Sequence, residues 1–245
     1  MITTENMPEP LRHPVSREDL ERLRRFDACT LSNAIETLNV RPRNEGFIRG
    51  TVECRFPKLP PVAGYAVTAT MRSSMPPVRG RCYHDRIDWW RYLASVPAPR
   101  IVVVRDEDDQ PGAGALFGEI HARICRALDC VAYVTNGSVR DLPAIESLGF
   151  QLFSGSLSVS HAYAHIVDFG QPVEIGDLRI ESGDLLHADL HGVQSVPPEL
   201  VTELPAVAQK VTAGEHEFFE MCLGKDFSVD ELALKLQKFS EGQCS

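Results

Sequence analysis

The sequence predicts an α/β protein with parallel strands at its centre. Residues 101–153 alternate short apolar runs with segments of helical spacing. The unbroken run at residues 101–104, IVVV, is typical of a strand that is buried on both faces. Because helices between such strands form crossover connections, the pattern predicts strand, helix, strand, helix and strand in one parallel sheet.

The segment before this unit predicts helices and one strand. Ser16, followed by Asp19, predicts a capped helix start, and Arg41-Pro42 is expected to end the second helix. The small and β-branched residues 62–70 predict a strand. The elements expected here are a helix from residue 16 to about 26, a helix from residue 30, the strand at 62–70, a loop at 73–81 and a helix at 85–95.

In the central unit the helical spacing of apolar residues predicts one long helix, with a buried stripe of residues four apart. The stripe consists of Leu116, Ile120, Ile124 and Leu128. The elements expected are a helix at residues 115–128, a strand at 131–134, a helix at 142–148 that Gly149 ends, and a strand at 150–153.

After residue 154 the pattern changes to short strands separated by Gly-Asp turns, which continue to residue 196. From residue 198 the pattern is helical, and Ser228 with Glu231 forms a capping box before the last helix. The expected organisation is a flexible arm at residues 1–14, a domain at 15–197 and a helical extension at 198–245.

Composition excludes several classes of protein. The net charge of -9 provides no basic stripe for nucleic acid. The seven cysteines are odd in number and form no CxxC pair, so reduced thiols and a cytoplasmic location are expected. No apolar run approaches the roughly 20 residues of a membrane span, and the first 14 residues lack the apolar core of a signal peptide.

Three glycines, Gly112, Gly114 and Gly118, precede the predicted central helix. Backbone N–H groups at such a helix start can bind a carboxylate or phosphate. The alternative, favoured from the glycines alone, is a turn that needs positive φ. Nucleotide binding is not supported, because neither a Walker loop nor a complete GxGxxG is present.

Arg140 and Asp141 follow a predicted buried strand, where ligands of α/β sheets usually bind. Arginine offers a planar fork for a carboxylate, and aspartate offers an oxygen suited to Mg²⁺ or Mn²⁺. Asp141 could equally cap the helix that starts at Leu142, and it could do both. Glu119 could be an acid placed for the helix dipole, unless the Arg140 loop lies beside it. Adjacent parallel crossover units bring their loops to the same edge of the sheet, so we expect the two segments to meet there.

The histidines support no metal site by themselves. His187, Asp189 and His191 alternate as on one strand face, but no fourth zinc ligand is evident, so a turn-stabilising polar cluster is favoured. His161 and His165 lack the glutamate of an HExxH motif, so a metalloprotease site is not supported.

Four motifs in this order resemble the RraA-like family over residues 26–197. They are FDACTLSNAIETL, VAGYAVTAT, GALFGEIHARIC with VTNGSVRD, and SGDLLHADLHGVQSVP. That family contains class II 4-hydroxy-4-methyl-2-oxoglutarate aldolases, which also decarboxylate oxaloacetate, and regulators of ribonuclease E. The resemblance implies a β/β/α swivelling-domain sandwich, flanked here by N- and C-terminal helices, in a homotrimer or hexamer with sites at subunit boundaries.

The resemblance also implies roles for site residues. A small α-keto acid would be bound largely through the backbone amides of Gly118, Glu119, Ile120 and His121. Arg140 would bind the same substrate. Asp141 would hold Mg²⁺, Mn²⁺ or another divalent metal. The catalytic residues of a carbon–carbon lyase reaction that releases pyruvate would then be Arg140, Glu119 and Asp141. Arg140 and the metal on Asp141 would stabilise the enolate, and Glu119 could orient or deprotonate a metal-bound water.

The sequence departs from the family pattern at three positions. Asn136 stands where the family usually has aspartate, His121 where an apolar residue is common, and Ser182 in place of proline. The alternative to an enzyme is a non-catalytic trimer that binds an RNA-processing enzyme, because one fold can host both functions.

Overall fold

The computed structural model describes residues 15–50, 52–78, 87–225 and 227–243. The expected N-terminal arm, the end of the loop at 73–81 and the start of the helix at 85 lie outside these residues. The helices are α1 (Arg17–Leu23), α2 (Ala28–Thr37), α3 (Ile87–Ser95), α4 (Glu119–Ala127), α5 (Leu142–Ser147), α6 (Leu204–Leu223) and α7 (Val229–Gln243), with a short 3-10 helix at Pro198–Leu200.

Nine strands form the main sheet, and two more form a separate hairpin. The strands are β1 (Glu53–Cys54), β2 (Val62–Arg72), β3 (Arg100–Asp106), β4 (Ala115–Phe117), β5 (Cys130–Val139), β6 (Gln151–Leu157), β7 (His165–Phe169), β8 (Val173–Ile175), β9 (Leu178–Ile180), β10 (Leu185–Asp189) and β11 (Gly192–Ser195). The order in the main sheet is β1-β6-β5-β3-β2-β10-β11, with β4 paired to β5 and β7 paired to β2.

The centre of the sheet is parallel, as the sequence predicts. Strand β2 pairs in parallel with β3, β3 with β5, and β5 with β6. The later strands β7 and β10 pair antiparallel with β2, and β1 pairs antiparallel with β6.

Alternate residues of the central strands enter two different cores, because successive side chains of a strand point to opposite faces. On one face Val102, Val104 and Tyr133 belong to the core that also contains the helices. On the other face Ile101 and Val103 pack with β8 and β9. The resulting layers, hairpin, sheet and helices, confirm the β/β/α sandwich, with helices at both ends of the chain.

The predicted start of the second helix is too late. The helix begins at Ala28 rather than Thr30, because Asp27 serves as the N-cap and its Oδ1 accepts a hydrogen bond of 2.7 Å from Thr30 N. It ends at Thr37, ahead of Arg41-Pro42. The cap of α1 is confirmed, since Ser16 Oγ accepts from Asp19 N at 3.1 Å.

The single long helix predicted at residues 115–128 is wrong. Ala115–Phe117 is strand β4, which pairs in parallel with Ser138 and Val139 of β5, and α4 begins only at Glu119. The predicted buried stripe is also wrong. Ile120 is 62% exposed, and the buried residues of α4 are His121, Ala122 and Cys125.

The later part of the chain follows the expected pattern. Gly176 and Gly183 adopt positive φ in the turns between the short strands. Ser228 Oγ accepts from Glu231 N at 3.2 Å, which confirms the cap of α7. Leu204 and Ala208 of α6 are buried in the core that contains the helices. Within the described residues, no helix is both long and apolar enough to cross a membrane.

Candidate functional site

The candidate site lies where β5 ends beside the start of α4. Strand β5 continues to Val139, so Arg140 and Asp141 follow it directly, whereas the sequence predicted a loop from residue 135. Arg140 N donates to Phe117 O at 3.1 Å, which continues the pairing of β4 and β5. The expectation that the two segments meet at one edge of the sheet is confirmed.

The side chain of Asp141 binds the neighbouring helix rather than its own. The residue occupies the N-cap position of α5 with φ +60°, yet its carboxylate makes no hydrogen bond to that helix. Instead, Oδ2 accepts from Glu119 N at 3.1 Å and Oδ1 accepts from Arg140 Nε at 3.2 Å. The carboxylate is thereby held at the N-terminus of α4, where it satisfies one first-turn N–H group and keeps further lone pairs for a ligand.

The surroundings of Asp141 keep its carboxylate charged. Partial burial acts to raise its pKa, but the hydrogen bonds from Glu119 N and Arg140 and the charges of Arg140 and His161 outweigh that effect. The pKa of Asp141 therefore lies below its ordinary value. The side chain is 36% exposed, so an anionic oxygen is presented to solvent across the neutral pH range.

Gly118 allows the close approach of these groups. Its φ of -147° is an ordinary extended conformation, so the backbone itself does not require glycine. A Cβ at this position would lie 2.6 Å from Asp141 Oδ2 and 3.0 Å from Arg140 Cγ. By contrast, Gly112 has φ +99° and donates its N–H to Asp106 Oδ2, as the alternative of a turn glycine predicts.

Gly118→Ala is expected to reduce activity without unfolding the protein. The added methyl group must displace the flexible Asp141 carboxylate and break its contact with Glu119 N. A misplacement of about 1 Å can cost about 100-fold in rate. Steady-state kinetics and thermal unfolding check this; wild-type activity in the variant would show that the Asp141–Glu119 contact is not needed.

The predicted substrate-contacting segment presents mainly its backbone. The Glu119 carboxylate pairs with Arg123 at 2.7 Å on the same helix. His121 is buried, with its ring 5.5 Å from Trp90 and 6.2 Å from Phe117 between centroids. The His121 ring thus fills the core, while the N–H groups of the first turn of α4 lack intrahelical acceptors by helix geometry.

His161 belongs to this region, and the sequence interpretation missed it. It lies on the loop after β6, the next parallel strand, and its Nδ1 is 2.7 Å from Ala115 O at the start of β4. Its charge helps to lower the pKa of Asp141. The rule that ligands bind beyond the carboxyl ends of strands would have selected this loop, although no motif marks the histidine.

Two departures from the family pattern have structural roles. Asn136 joins β5 to β3, because its Oδ1 accepts from Asp106 N at 2.7 Å and its Nδ2 donates to Asp106 O at 3.0 Å. Ser182 Oγ accepts from Thr68 N at 3.0 Å and joins the turn before β10 to β2. Neither side chain needs to contact a substrate to account for its presence.

The residues at the site fit a hard divalent cation. Asp141 supplies a charged oxygen with further lone pairs, and Mg²⁺ commonly binds one or two carboxylates and otherwise water. In the described ranges, the potential ligands that cluster in threes do so elsewhere in the molecule and not around Asp141. One carboxylate is too few ligands for a structural zinc site, and it is compatible with a magnesium-type site, which stays a prediction.

Comparisons with known proteins agree with this architecture. Protein DlpA of Legionella pneumophila is 21% identical over 207 residues, which cover 83% of this chain and 30% of that protein. A putative 4-hydroxy-4-methyl-2-oxoglutarate aldolase of Halalkalibacterium halodurans is 27% identical over 84 residues, covering 34% of this chain and 40% of that protein. The chain thus spans well under half the length of either relative.

Solved structures support the fold. A protein described as a novel cellulase from gut-associated microbes has a TM-score of 0.70 at 20% identity, covering 86% of this chain and 91% of its own. Streptomyces coelicolor RraAS2 is described as an unusual member of the RNase ES inhibitor RraA protein family. It has a TM-score of 0.63 at 21% identity, covering 86% of this chain and 98% of its own.

A family model matches a continuous part of the chain that contains both the β4–α4 segment and the Arg140-Asp141 pair. The match extends over residues 28–194 and is described as Aldolase/RraA. Because this is well over half of the sequence, the chain belongs to the RraA-like family.

Proposed function

We propose that this chain is a divalent-metal-dependent lyase that acts on a small α-keto acid and releases pyruvate. The observation that carries the proposal is the position of Asp141. Its carboxylate contacts Glu119 N and Arg140 Nε and leaves its own helix uncapped. The charged oxygens of Asp141 therefore lie between the start of α4 and the Arg140 side chain, where their remaining lone pairs can bind a divalent cation.

Arg140 and the start of α4 are suited to bind the keto acid. The guanidinium can donate two parallel hydrogen bonds to a carboxylate or to a keto oxygen and its neighbour. The first-turn N–H groups of α4 and the positive end of its dipole favour an anion at the same place. The carboxylate and keto oxygens of the substrate would therefore lie between Arg140 and the N-terminus of α4.

Cleavage of a carbon–carbon bond next to the keto group leaves an electron pair on the pyruvate unit. Retro-aldol cleavage and decarboxylation share this enolate, so one site can serve both reactions. Arg140 stabilises the developing charge as a fixed cation. A bound Mg²⁺ held by Asp141 would supply Lewis-acid polarisation of the keto oxygen.

Proton transfer is assigned to groups at the rim of the site. Glu119 is one candidate, although its carboxylate is paired with Arg123. His161 is the second, because it lies on the loop after the neighbouring strand and its Nδ1 is 2.7 Å from Ala115 O at the start of β4. Either group could pass a proton to or from the pyruvate carbon through water.

Pyruvate release from oxaloacetate tests the proposal. Purified protein with Mg²⁺ is expected to form pyruvate faster than Mg²⁺ alone, and EDTA is expected to remove the difference. Free metal is the essential control, since it acts on oxaloacetate without protein. If the protein adds nothing to the rate of free Mg²⁺, the chain is not such a lyase, and the alternative of a protein-binding regulator replaces it.

We also expect the chain to assemble as a trimer or a multiple of one, with the site completed at a subunit boundary. Exposed apolar side chains are frequent on its C-terminal helices, as expected of a contact surface. More than half of the surface is exposed at each of Phe219, Leu223, Val229, Leu234 and Leu236. Light scattering at micromolar concentration checks the mass, and a fully active monomer would contradict the shared site.

The acidic residues of α6 are candidates for reaching a neighbouring site, but their contacts lie within the chain. Glu215 Oε1 accepts from Asn33 Nδ2 at 3.2 Å. Glu217 pairs with Lys235 of α7. These contacts favour the simpler interpretation of a solvated helix face.

A further inference from the structure

A second cluster of ligand-type side chains lies away from Asp141, where α2 begins beside the turn between β10 and β11. Asp27 and Cys29 meet His191 there, although about 160 residues separate them in sequence. Each offers one ligand atom, and these atoms lie within 4.8 Å of one another. From the sequence we predicted a turn-stabilising polar cluster around His191 and identified no further metal ligand nearby. The further ligands, Asp27 and Cys29, lie at the start of α2, far from His191 in the sequence.

Asp189 holds His191 in place. This aspartate is buried, its Oδ2 accepts from Ala28 N at 2.7 Å, and its Oδ1 accepts from His191 N at 2.8 Å. The same Oδ1 is 3.3 Å from His191 Nδ1. In the tautomer with the proton on Nδ1, Asp189 accepts from Nδ1–H and the Nε2 lone pair can bind a metal, an arrangement that is usual for metal-binding histidines.

His187 is a second observation, a buried polar side chain on the strand that leads to His191. It precedes Asp189 by two residues on the same face of β10, and it is 0% exposed. Neither ring nitrogen makes a hydrogen bond of normal geometry among the described residues, although the Phe26 backbone lies close enough to act on its pKa. Buried polar groups without partners are rare and often mark an ion or a functional site.

Two carboxylates belong to this part of the molecule, that of Asp27 in the cluster and that of the buried Asp189 beside His191. A bound cation would take the Cys29 sulfur as a thiolate, with its proton released to solvent. The donor types present therefore suit a positively charged metal ion.

We propose that Asp27, Cys29 and His191 bind a zinc-type divalent cation, with Asp189 orienting His191 and water completing a tetrahedral shell. A thiolate and an imidazole favour zinc over magnesium, which prefers oxygen ligands. The site links α2 to the β10–β11 turn and shares no residue with the Asp141 site. It therefore stands independently of the lyase proposal.

The direct test uses Co²⁺ as a spectroscopic probe and Zn²⁺ as its competitor in the reduced, metal-free full chain. Asp141→Ala serves as the background, so that the other metal site does not contribute. We expect one tightly bound ion per chain, with a near-ultraviolet thiolate-to-cobalt band that Zn²⁺ abolishes.

Variants assign that band to the cluster. Cys29→Ser should remove it, and His191→Ala should weaken Zn²⁺ binding. The matched controls, Cys222→Ser and His216→Ala on α6, should leave both measurements unchanged. Asp189→Asn removes the charge and replaces one of the two acceptor oxygens with an amide donor, so it should weaken Zn²⁺ binding about 10- to 100-fold.

Asp27→Asn separates metal binding from folding, because asparagine caps helices as well as aspartate. It should weaken Zn²⁺ binding while thermal unfolding of the metal-free protein stays unchanged. A cobalt band that persists in Cys29→Ser, or Zn²⁺ binding in His191→Ala equal to that of the controls, would overturn the proposal.

Discussion

Asp141→Ala is expected to abolish lyase turnover while the protein stays folded. The change removes the anionic oxygen that is held between Glu119 N and Arg140 Nε. The loss should be at least about 100- to 1,000-fold, the range for a single lost transition-state contact. The fold-loss is measured as the turnover of oxaloacetate by the variant and by wild type, with free-metal controls.

Asp141→Asn is the matched variant, because Asp141 adopts a left-handed conformation with φ +60°. Alanine is strained in that conformation by about 1–2 kcal/mol, whereas asparagine tolerates it. Asparagine also keeps an oxygen that can accept from Glu119 N. If Asp141→Asn unfolds like wild type but is as inactive as Asp141→Ala, the charge is what matters. Turnover equal to wild type in either variant would refute the metal-binding role.

Arg140→Lys is expected to lower kcat/KM about 10- to 100-fold, even though the positive charge is kept. Lysine cannot reproduce the planar fork that binds two oxygens at once. The loss of one hydrogen bond to a charged group, about 1.5–3 kcal/mol, corresponds to that range. The backbone contact from Arg140 N to Phe117 O is unaffected, so the strand end should keep its place.

Arg179→Lys is the control for this change. Arg179 is an exposed arginine of β9 that pairs with Glu181 and lies outside the candidate site. It should have wild-type kinetics. If Arg140→Lys matched Arg179→Lys in kcat/KM, attraction by a point charge would suffice and the bidentate contact would be wrong.

The sequence was sufficient to predict the parallel centre, because β-branched runs such as residues 101–104 have few alternatives to a buried strand. It also predicted that Glu119 would meet the Arg140 loop, since crossover connections bring such loops to one edge. It failed at residues 115–117, because a strand of three residues before a helix carries no periodicity of its own.

Other features depended on contacts between distant segments. From the sequence, capping of α5 and ligand binding were evenly balanced for Asp141. The contact with Glu119 N shows that the side chain does not cap α5, and the ligand role stays a prediction. The cluster of Asp27 and Cys29 with His191 joins residues that no local pattern connects. His161 carries no motif and is identified by its place after β6.

Exchange of the pyruvate methyl protons in D₂O tests the central claim most directly, because it requires only the shared enolate and no knowledge of the aldol substrate. Proton NMR follows the loss of the methyl signal with protein and Mg²⁺. We expect exchange well above that of Mg²⁺ alone. No excess over the protein-free control should remain after EDTA or in Asp141→Asn, and the excess should fall about 10- to 100-fold in Arg140→Lys at matched concentration. Exchange no faster than in Mg²⁺ buffer without protein would contradict the assignment of Arg140 and Asp141 to a pyruvate-enolate site.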